Sequence, residues 1–130
     1  MSLKKATTEL IDSNLDEVEG WLEDMATPEC PAWEIYNRLV QDEYEMFFTF
    51  TGEGRLIGIV ILFARDDGVL VLVGAAGNVW NEWDELHEQF ATLARERGLD
   101  TVEFRGRRGF LRTFKKFGMT EKYTVMQFTV

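Results

Sequence analysis

Two apolar runs of nine residues, at positions 56–64 and 69–77, constrain the fold more than any other feature of this sequence. Only the charged turn Arg65-Asp66-Asp67-Gly68 separates them. Each run is too short to cross a bilayer as a helix. Both are rich in Val, Ile and Leu, which predicts two central strands of one sheet with both of its faces covered.

The composition is typical of one cytoplasmic domain. With 130 residues and 45% hydrophobic content, the chain can bury one ordinary core. We therefore expect a single domain over residues 1–130, with residues 1–3 as a candidate cloning remnant. The one cysteine, Cys30, excludes an internal disulfide and fits a reducing compartment. No apolar stretch follows the first residues, so neither a signal peptide nor a membrane segment is predicted.

Charge is distributed unevenly along the chain. The net charge is −9, but residues 1–104 carry −15 and residues 105–130 carry +6. The acidic total disfavours general binding to nucleic acid or to anionic lipid. We therefore expect a protein partner rather than a nucleic acid or a membrane, and a homo-oligomer stays open.

Two helices and a short strand are predicted ahead of residue 44. The first helix begins at Ser13 or Asn14 as a polar cap. Its inward face carries Leu15, Val18, Trp21, Leu22 and Met25. The second begins at Pro31, a residue favoured at a first helical position. Its predicted inward face carries Trp33, Tyr36, Leu39 and Val40.

Strands and helices alternate in the rest of the sequence. Alternation over residues 44–51 predicts a strand, closed by the Gly52-Glu53-Gly54 turn, ahead of the two apolar strands. A helix follows from about Asn81 to Gly98, then a strand over 101–105, a fourth helix around 110–118 and a last strand from about 121 to 130. The order β-α-α-β-β-β-α-β-α-β predicts a mixed α/β sheet flanked by helices.

This order and three short strings resemble the GNAT acetyltransferase superfamily over nearly the whole chain. The string RLIGIV at 55–60 resembles the family's third strand, and ARERGL at 94–99 resembles the end of its third helix. The string FLRTFKKFGM at 110–119 resembles its fourth helix and the turn behind it. The resemblance implies a GNAT-like fold, in which enzymes of the family bind acetyl-CoA.

The loop that would hold the cofactor looks degraded. Enzymes of this family bind the pyrophosphate with an Arg/Gln-x-x-Gly-x-Gly/Ala loop that opens the third helix. The matching residues here are Asn78, Val79, Trp80, Asn81, Glu82 and Trp83. Neither glycine position is small, and Glu82, Asp84 and Glu85 would repel a pyrophosphate. Gly74 and Gly77 lie nearby without restoring the motif, so no cofactor is expected.

The catalytic residues that the resemblance implies are also missing. The family's tyrosine general acid corresponds to Phe114, and an Asn that often opens that segment corresponds to Arg107. The strand at 69–76 offers no Glu or His to activate an amine. Tyr123 and Glu103 are weak substitutes, since a tyrosine in a terminal strand is more often packed. We therefore assign no catalytic residue and favour a protein that is not an enzyme.

A looser resemblance links the C-terminal tail to small GNAT-like proteins of T7-like bacteriophages. It covers residues from Phe110 through EKY at 121–123 to QFTV at 127–130. Those proteins are associated with virion assembly or the virion interior. The resemblance implies a phage or prophage origin and a role through protein contacts, in the virion interior or the cytoplasm.

A basic cluster surrounds the predicted fourth helix. Its members are Arg105, Arg107, Arg108, Arg112, Lys115, Lys116 and Lys122. A solvated helix face explains such a cluster best. The alternative is a patch for an anion or an acidic partner, because Gly106 and Gly109 would admit an anion to a helix start.

No metal site or reactive cysteine is predicted. His87 is the only histidine and has no second ligand at suitable spacing. The pairs Asp66-Asp67 and Asp42-Glu43 fit a turn and a helix end better than a calcium loop. Cys30 has no basic neighbour in sequence to activate it. Trp80 and Trp83 stand at the cofactor entrance, where they would fill the cleft or mark a partner surface.

Three functions follow from these observations. The first is a non-catalytic GNAT-fold protein that acts through protein contacts. The second is a divergent N-acyltransferase with an acyl-CoA donor, which requires a slot between the strands at 69–76 and 101–105. The third is binding of an anion or nucleic acid by the basic cluster.

Overall fold

The computed structural model describes residues 1–26, 28, 30–105, 120–122 and 125–130, which form a mixed sheet with helices on both faces. The strands are β1 (Ser2–Lys5), β2 (Glu45–Phe50), β3 (Leu56–Arg65), β4 (Val69–Gly77), β5 (Thr101–Arg105), β6 (Thr120–Lys122) and β7 (Val125–Thr129). The helices are α1 (Thr8–Ser13), α2 (Leu15–Met25), α3 (Ala32–Val40) and α4 (Trp83–Glu96). A 3₁₀ turn, Asn78–Glu82, leads into α4.

The two apolar runs become β3 and β4, as the sequence predicts. The strand order is β1-β2-β3-β4-β5-β7-β6. The first four strands pair antiparallel with their neighbours, β4 and β5 are parallel, and β7 pairs antiparallel with both β5 and β6. The βαβ unit from β4 through α4 to β5 therefore joins an antiparallel meander to a C-terminal pair of strands.

Each face of the sheet has its own core because successive side chains of a strand point to opposite sides. From β3, Val60 and Leu62 pack with α4, whereas Ile59 and Ile61 pack with α1, α2 and α3. All four of these side chains are fully buried. This arrangement explains why β3 is apolar throughout rather than alternating.

The predicted inward face of α3 is wrong at three positions. Trp33, Tyr36 and Val40 are 67%, 59% and 64% exposed, whereas Ile35 is 1% exposed. The helix has two apolar stripes, and only the one formed by Ile35 and Leu39 packs on the core. Helical periodicity alone does not distinguish two such stripes when both have the right spacing. Pro31 is the N-cap residue, so the helix begins at Ala32.

Three further boundaries differ from the sequence prediction. The short helix α1 was not predicted, and the Thr7 hydroxyl caps it by accepting a hydrogen bond from the Leu10 amide at 3.2 Å. The 3₁₀ turn precedes the helix that was expected from Asn81. The strand expected over 121–130 is two paired strands, β6 and β7. The helix predicted around 110–118 lies outside the described residues.

Residues 1–3, the candidate remnant, take part in the sheet. Ser2 and Leu3 pair with Phe50 and Thr49 of β2. The Met1 amino group lies 3.1 Å from a carboxylate oxygen of Glu85 on α4. The chain start is therefore in contact with both the sheet and the helix that covers it.

Glu45, the first residue of β2, joins three elements of the fold. Its carboxylate accepts hydrogen bonds from Lys5 of β1, at 3.3 Å, and from Arg97, the residue that follows α4. The Arg97 guanidinium also lies 6.0 Å from the centre of the Phe47 ring. Burial alone would raise the pKa of Glu45, but the hydrogen bonds from Arg97 and Lys5 outweigh it and lower the pKa below its ordinary value of 4.5.

We expect Glu45→Gln to lower the free energy of unfolding at pH 7 by about 1 kcal/mol, since a partly exposed charged network is screened by water. Because the folded pKa is lowered, this stabilisation is complete above pH 4.5 and disappears as the pH falls through the folded pKa. Urea denaturation of wild type and variant between pH 7 and pH 3 checks the convergence. Glu53→Gln, at an exposed turn, serves as the control, and a gap that stays constant with pH would contradict the assignment.

Candidate functional site

The first candidate site is the mouth, which we define as the carboxyl ends of β4 and β5 together with the 3₁₀ turn. In sheets with parallel neighbours, ligands bind beyond the carboxyl ends of the strands. The β4–β5 ladder runs from Val69 opposite Thr101 to Leu72 opposite Phe104. In the described part of the chain, β4 then continues through residues 73–77 without a partner on the β5 side. The described pairing of the two strands therefore ends at the mouth, one residue before the end of β5.

A β-bulge in β4 lies where the described ladder between β4 and β5 ends. Leu62 of β3 pairs with Leu72, and Ile61 pairs with Gly74, so Val73 is the extra residue of β4. A Cβ atom on Gly74 would lie 3.2 Å from the sulfur of Met25, the last residue of α2. Bulges redirect side chains and are frequent beside functional sites. The end of α2 therefore closes one side of the bulged strand.

The 3₁₀ turn is seated directly on β3. Val79 is fully buried, and a Cβ on Gly58 would lie 2.8 Å from its Cγ1 atom and 2.1 Å from the Ala76 carbonyl oxygen. Gly77 has a φ of +91°, and a Cβ there would lie 2.3 Å from the Ile57 carbonyl oxygen. Two glycines that face each other across β3 and β4 thus allow the turn to pack without a gap.

Only the last two of the five residues in this turn have amides that the turn itself can bond. A 3₁₀ turn bonds each amide after its first three residues to the carbonyl three positions earlier. Because the turn runs directly into α4, the helical run begins at Asn78 rather than at Trp83. The side chain of Val79, near the start of that run, packs in the core and not in the mouth.

The start of α4 is acidic. Glu82 precedes the helix, Asp84 and Glu85 lie in its first turn, and all three are exposed. Carboxylates at this position stabilise the positive end of the helix dipole. The side chains of Trp80, Asn81 and Trp83 lie outside what the structure describes, so the hypothesis that indoles fill the cleft stays a prediction.

Glu103, one of the two weak catalytic candidates, has a structural partner. Its side chain is buried and accepts a hydrogen bond from Arg65 Nη1 at 2.8 Å. Arg65 also donates to both carboxylate oxygens of Asp67, at 2.7 and 3.0 Å. The hydrogen bonds to Asp67 and then to Glu103 raise the pKa of Arg65 despite some burial. This ion pair connects β3 with β5 across β4.

The role of Arg65 is not apparent from its place in the sequence, where it belongs to a charged turn. The signal was in Glu103, which stands between two apolar residues of a short strand. A strand residue buried among apolar neighbours needs a partner if it is ionised. Arg65 and Glu103 are 38 positions apart, so the sequence does not show that Arg65 is the cation that pairs with Glu103.

The other predicted candidates are mostly outside the described residues. These are Phe114, Tyr123, Arg107, Arg108, Arg112, Lys115 and Lys116. Only the backbones of Arg105 in β5 and Lys122 in β6 are described. The His87 ring stacks on Phe128 with 4.3 Å between ring centres. Among the described residues, no group of three or more His, Cys, Asp or Glu side chains could hold a metal ion.

Comparison with known proteins identifies the fold. No sequence family and no curated protein matches this chain. Solved structures do match it, and one is Tetrahymena GCN5, with a TM-score of 0.71 and 15% identity over 100% of this chain and 96% of that one. The chain has the GNAT acetyltransferase fold. The predicted fold class is therefore confirmed.

Two bacterial structures with the GNAT fold support the same assignment. An IAA acetyltransferase from Bacillus cereus has a TM-score of 0.66 and 10% identity, with 99% of both chains covered. A Bacillus subtilis acetyltransferase in complex with CoA has a TM-score of 0.62 and 15% identity, with 99% of this chain and 97% of that one covered. Identities this low show the fold alone. No helix of the described residues is long and apolar enough to cross a membrane.

The packing of the 3₁₀ turn on β3 can be tested with a pair of glycine substitutions. We expect Gly58→Ala to lower the free energy of unfolding by about 3 kcal/mol, because its Cβ would overlap backbone atoms of β4 and Val79. The control is Gly20→Ala on the exposed face of α2, where nothing lies within 4 Å of the added carbon. It should raise stability by about 0.5–1 kcal/mol. Urea denaturation measures both, and equal stabilities would contradict this packing.

Proposed function

We propose that this GNAT-fold chain acts through protein contacts and does not transfer an acyl group from coenzyme A. The observation that carries the proposal is the 3₁₀ turn seated on β3 through Val79 and Gly58. It occupies the place where the resemblance expects a glycine-rich loop with amides open to a pyrophosphate.

Acetyl-CoA does not fit this turn for steric and electrostatic reasons. A pyrophosphate needs several unbonded amides around a concave backbone, and the last two amides of this turn are used within it. The exposed carboxylates of Glu82 and Asp84 would add repulsion at the same helix start, where Glu85 pairs with the Met1 amino group. The sequence of the turn has no glycine between Asn78 and Trp83 that would relieve the crowding.

A divergent N-acyltransferase is the second candidate, and the end of the described β4–β5 ladder at Leu72 favours it. The slot that this function requires lies beyond Leu72, where the described residues of β4 have no partner on the β5 side. Several structures that share the fold are named as acetyltransferases. Such an enzyme would have to hold its donor by the acyl and pantetheine parts rather than by the pyrophosphate.

The phage origin, the virion or cytoplasmic location and the use of the basic cluster stay predictions. The residues of the basic cluster lie mainly in 106–119, outside the described part of the chain.

Acetyl-CoA binding separates the two candidates. A ligand at a hundred times its Kd adds about 2.7 kcal/mol to stability. Micromolar affinity would therefore raise the Tm by several degrees at about 1 mM acetyl-CoA, and we expect no shift. The matched variant Asn78→Arg, Asn81→Gly, Trp83→Gly rebuilds the loop motif and should gain a shift. Micromolar binding by the wild type, or thiol release from acetyl-CoA with an amine acceptor, would instead favour the acyltransferase.

A further inference from the structure

A groove lies at the end of the sheet opposite the mouth. Strands β2 and β4 run in the same direction, since each is antiparallel to β3, and the groove lies at the amino end of β2. Its volume is about 600 Å³. The floor includes the buried side chains of Val18, Leu22 and Met46, and the lip includes Leu15, Tyr36 and Val40, which are largely exposed.

The exposed apolar surface extends beyond the groove along α3. Trp33, Tyr36 and Val40 have the spacing of one helix face and form the outer stripe of α3. Seven residues of helix span about 10 Å. Aromatic side chains grouped in this way are typical anchors of protein interfaces. The surface is thus elongated and fits an elongated occupant better than a compact small molecule.

The groove has an acidic rim. Glu19 and Asp42 line it, and neither takes part in an ion pair among the described residues. Lys5 also lines it, but its ammonium group is paired with Glu45 at 3.3 Å. Residues 8–26, which form α1 and α2, carry seven carboxylates and no basic side chain. A cationic occupant is therefore favoured and an anionic one is repelled.

Asp42 lies in a backbone conformation that few residues other than glycine adopt, although Asp tolerates it better than most. Its φ is +57°, the left-handed region, immediately after the residue that caps the end of α3. Glycine is favoured there, and a carboxylate near the carboxyl end of a helix is repelled by the helix dipole. Residues that break local rules are often retained for function. Here the result is a carboxylate on the rim of the groove.

We propose that the groove and the outer stripe of α3 bind a cationic amphipathic helix of a protein partner. The apolar face of such a helix would enter the groove with side chains at i, i+3, i+4 and i+7, and its basic residues would meet Glu19 and Asp42. Nucleic acid and anionic membranes do not match an acidic rim around an apolar floor. This inference rests on the proposed function, for which it supplies the contact surface and the class of partner.

The probe is a fluorescein-labelled 18-residue Leu/Lys peptide with leucines on one helical face. We expect it to bind the full chain with a micromolar Kd in fluorescence anisotropy. Two peptides serve as controls: one has the same composition in scrambled order, and the other has Glu in place of Lys. Both should bind at least about tenfold more weakly, because amphipathicity or charge complementarity is lost.

Three variants locate the binding surface. Tyr36→Ala should weaken binding at least about tenfold. Glu19→Lys should weaken it about three- to tenfold, whereas Glu53→Lys, the same charge change on an exposed turn outside the groove, should leave the Kd within about twofold. Asp42→Gly should weaken binding while it raises the Tm by roughly 2–5 °C, because the left-handed position is relieved. Loss of folding cannot mimic that combination.

Several results would overturn the proposal. The first is no binding of the Leu/Lys peptide at 100 µM, which is about a hundred times a Kd of about 1 µM. The second is equal affinity for the peptide with Glu in place of Lys. The third is an equal loss of affinity in Glu19→Lys and Glu53→Lys. Self-association in sedimentation that Tyr36→Ala abolishes would also overturn it, because the occupant would then be a second copy. None of these measurements uses acetyl-CoA, so failure here leaves the proposed function standing, and acetyl-CoA binding leaves the groove intact.

Discussion

The antiparallel pairing of β3 with β4 supports every other part of the structure. These two strands carry apolar side chains to both faces of the sheet, so α4 and the α1–α3 layer each gain a core from the same residues. Burial of each such Ile, Leu or Val side chain contributes about 1.5–3 kcal/mol. The same hairpin supplies Gly58 and Gly77, which seat the 3₁₀ turn, and Arg65, which neutralises Glu103.

The two ends of the sheet differ in chemical character. At the carboxyl ends of β4 and β5 the described ladder ends, and the adjoining turn packs on β3 and leads into an acidic helix start. At the amino end of β2 a groove of about 600 Å³ opens beside α3, which carries the exposed side chains of Tyr36 and Val40. At the mouth, the turn is held against β3 by packing. The opposite end of the sheet has an apolar groove and exposed aromatic side chains, which are features of a contact surface. Our proposal of a contact function rests on this contrast.

The sequence was sufficient for the GNAT fold and for strands β2 to β5, because runs such as 56–64 are rich in Val, Ile and Leu and are bounded by turn residues. It was insufficient for α3, where nine residues hold two apolar stripes and tertiary packing selects Ile35 over Trp33. It also missed the Arg65–Glu103 pair, since 38 positions separate residues that meet only across β4. The groove could not be predicted, because its walls come from five separate elements. The basic cluster and Phe114 stay predictions, since they lie outside the described residues.

Within the described residues, the sheet ends in two short strands, β1 with four residues and β6 with three. Short edges with lysine side chains discourage strand addition between molecules. Lys4 and Lys5 stand on β1, where the Lys4 ammonium lies 5.2 Å from the centre of the Phe50 ring and Lys5 is paired with Glu45. The cationic border of β1 therefore protects an otherwise strongly apolar sheet from intermolecular β-aggregation at high concentration.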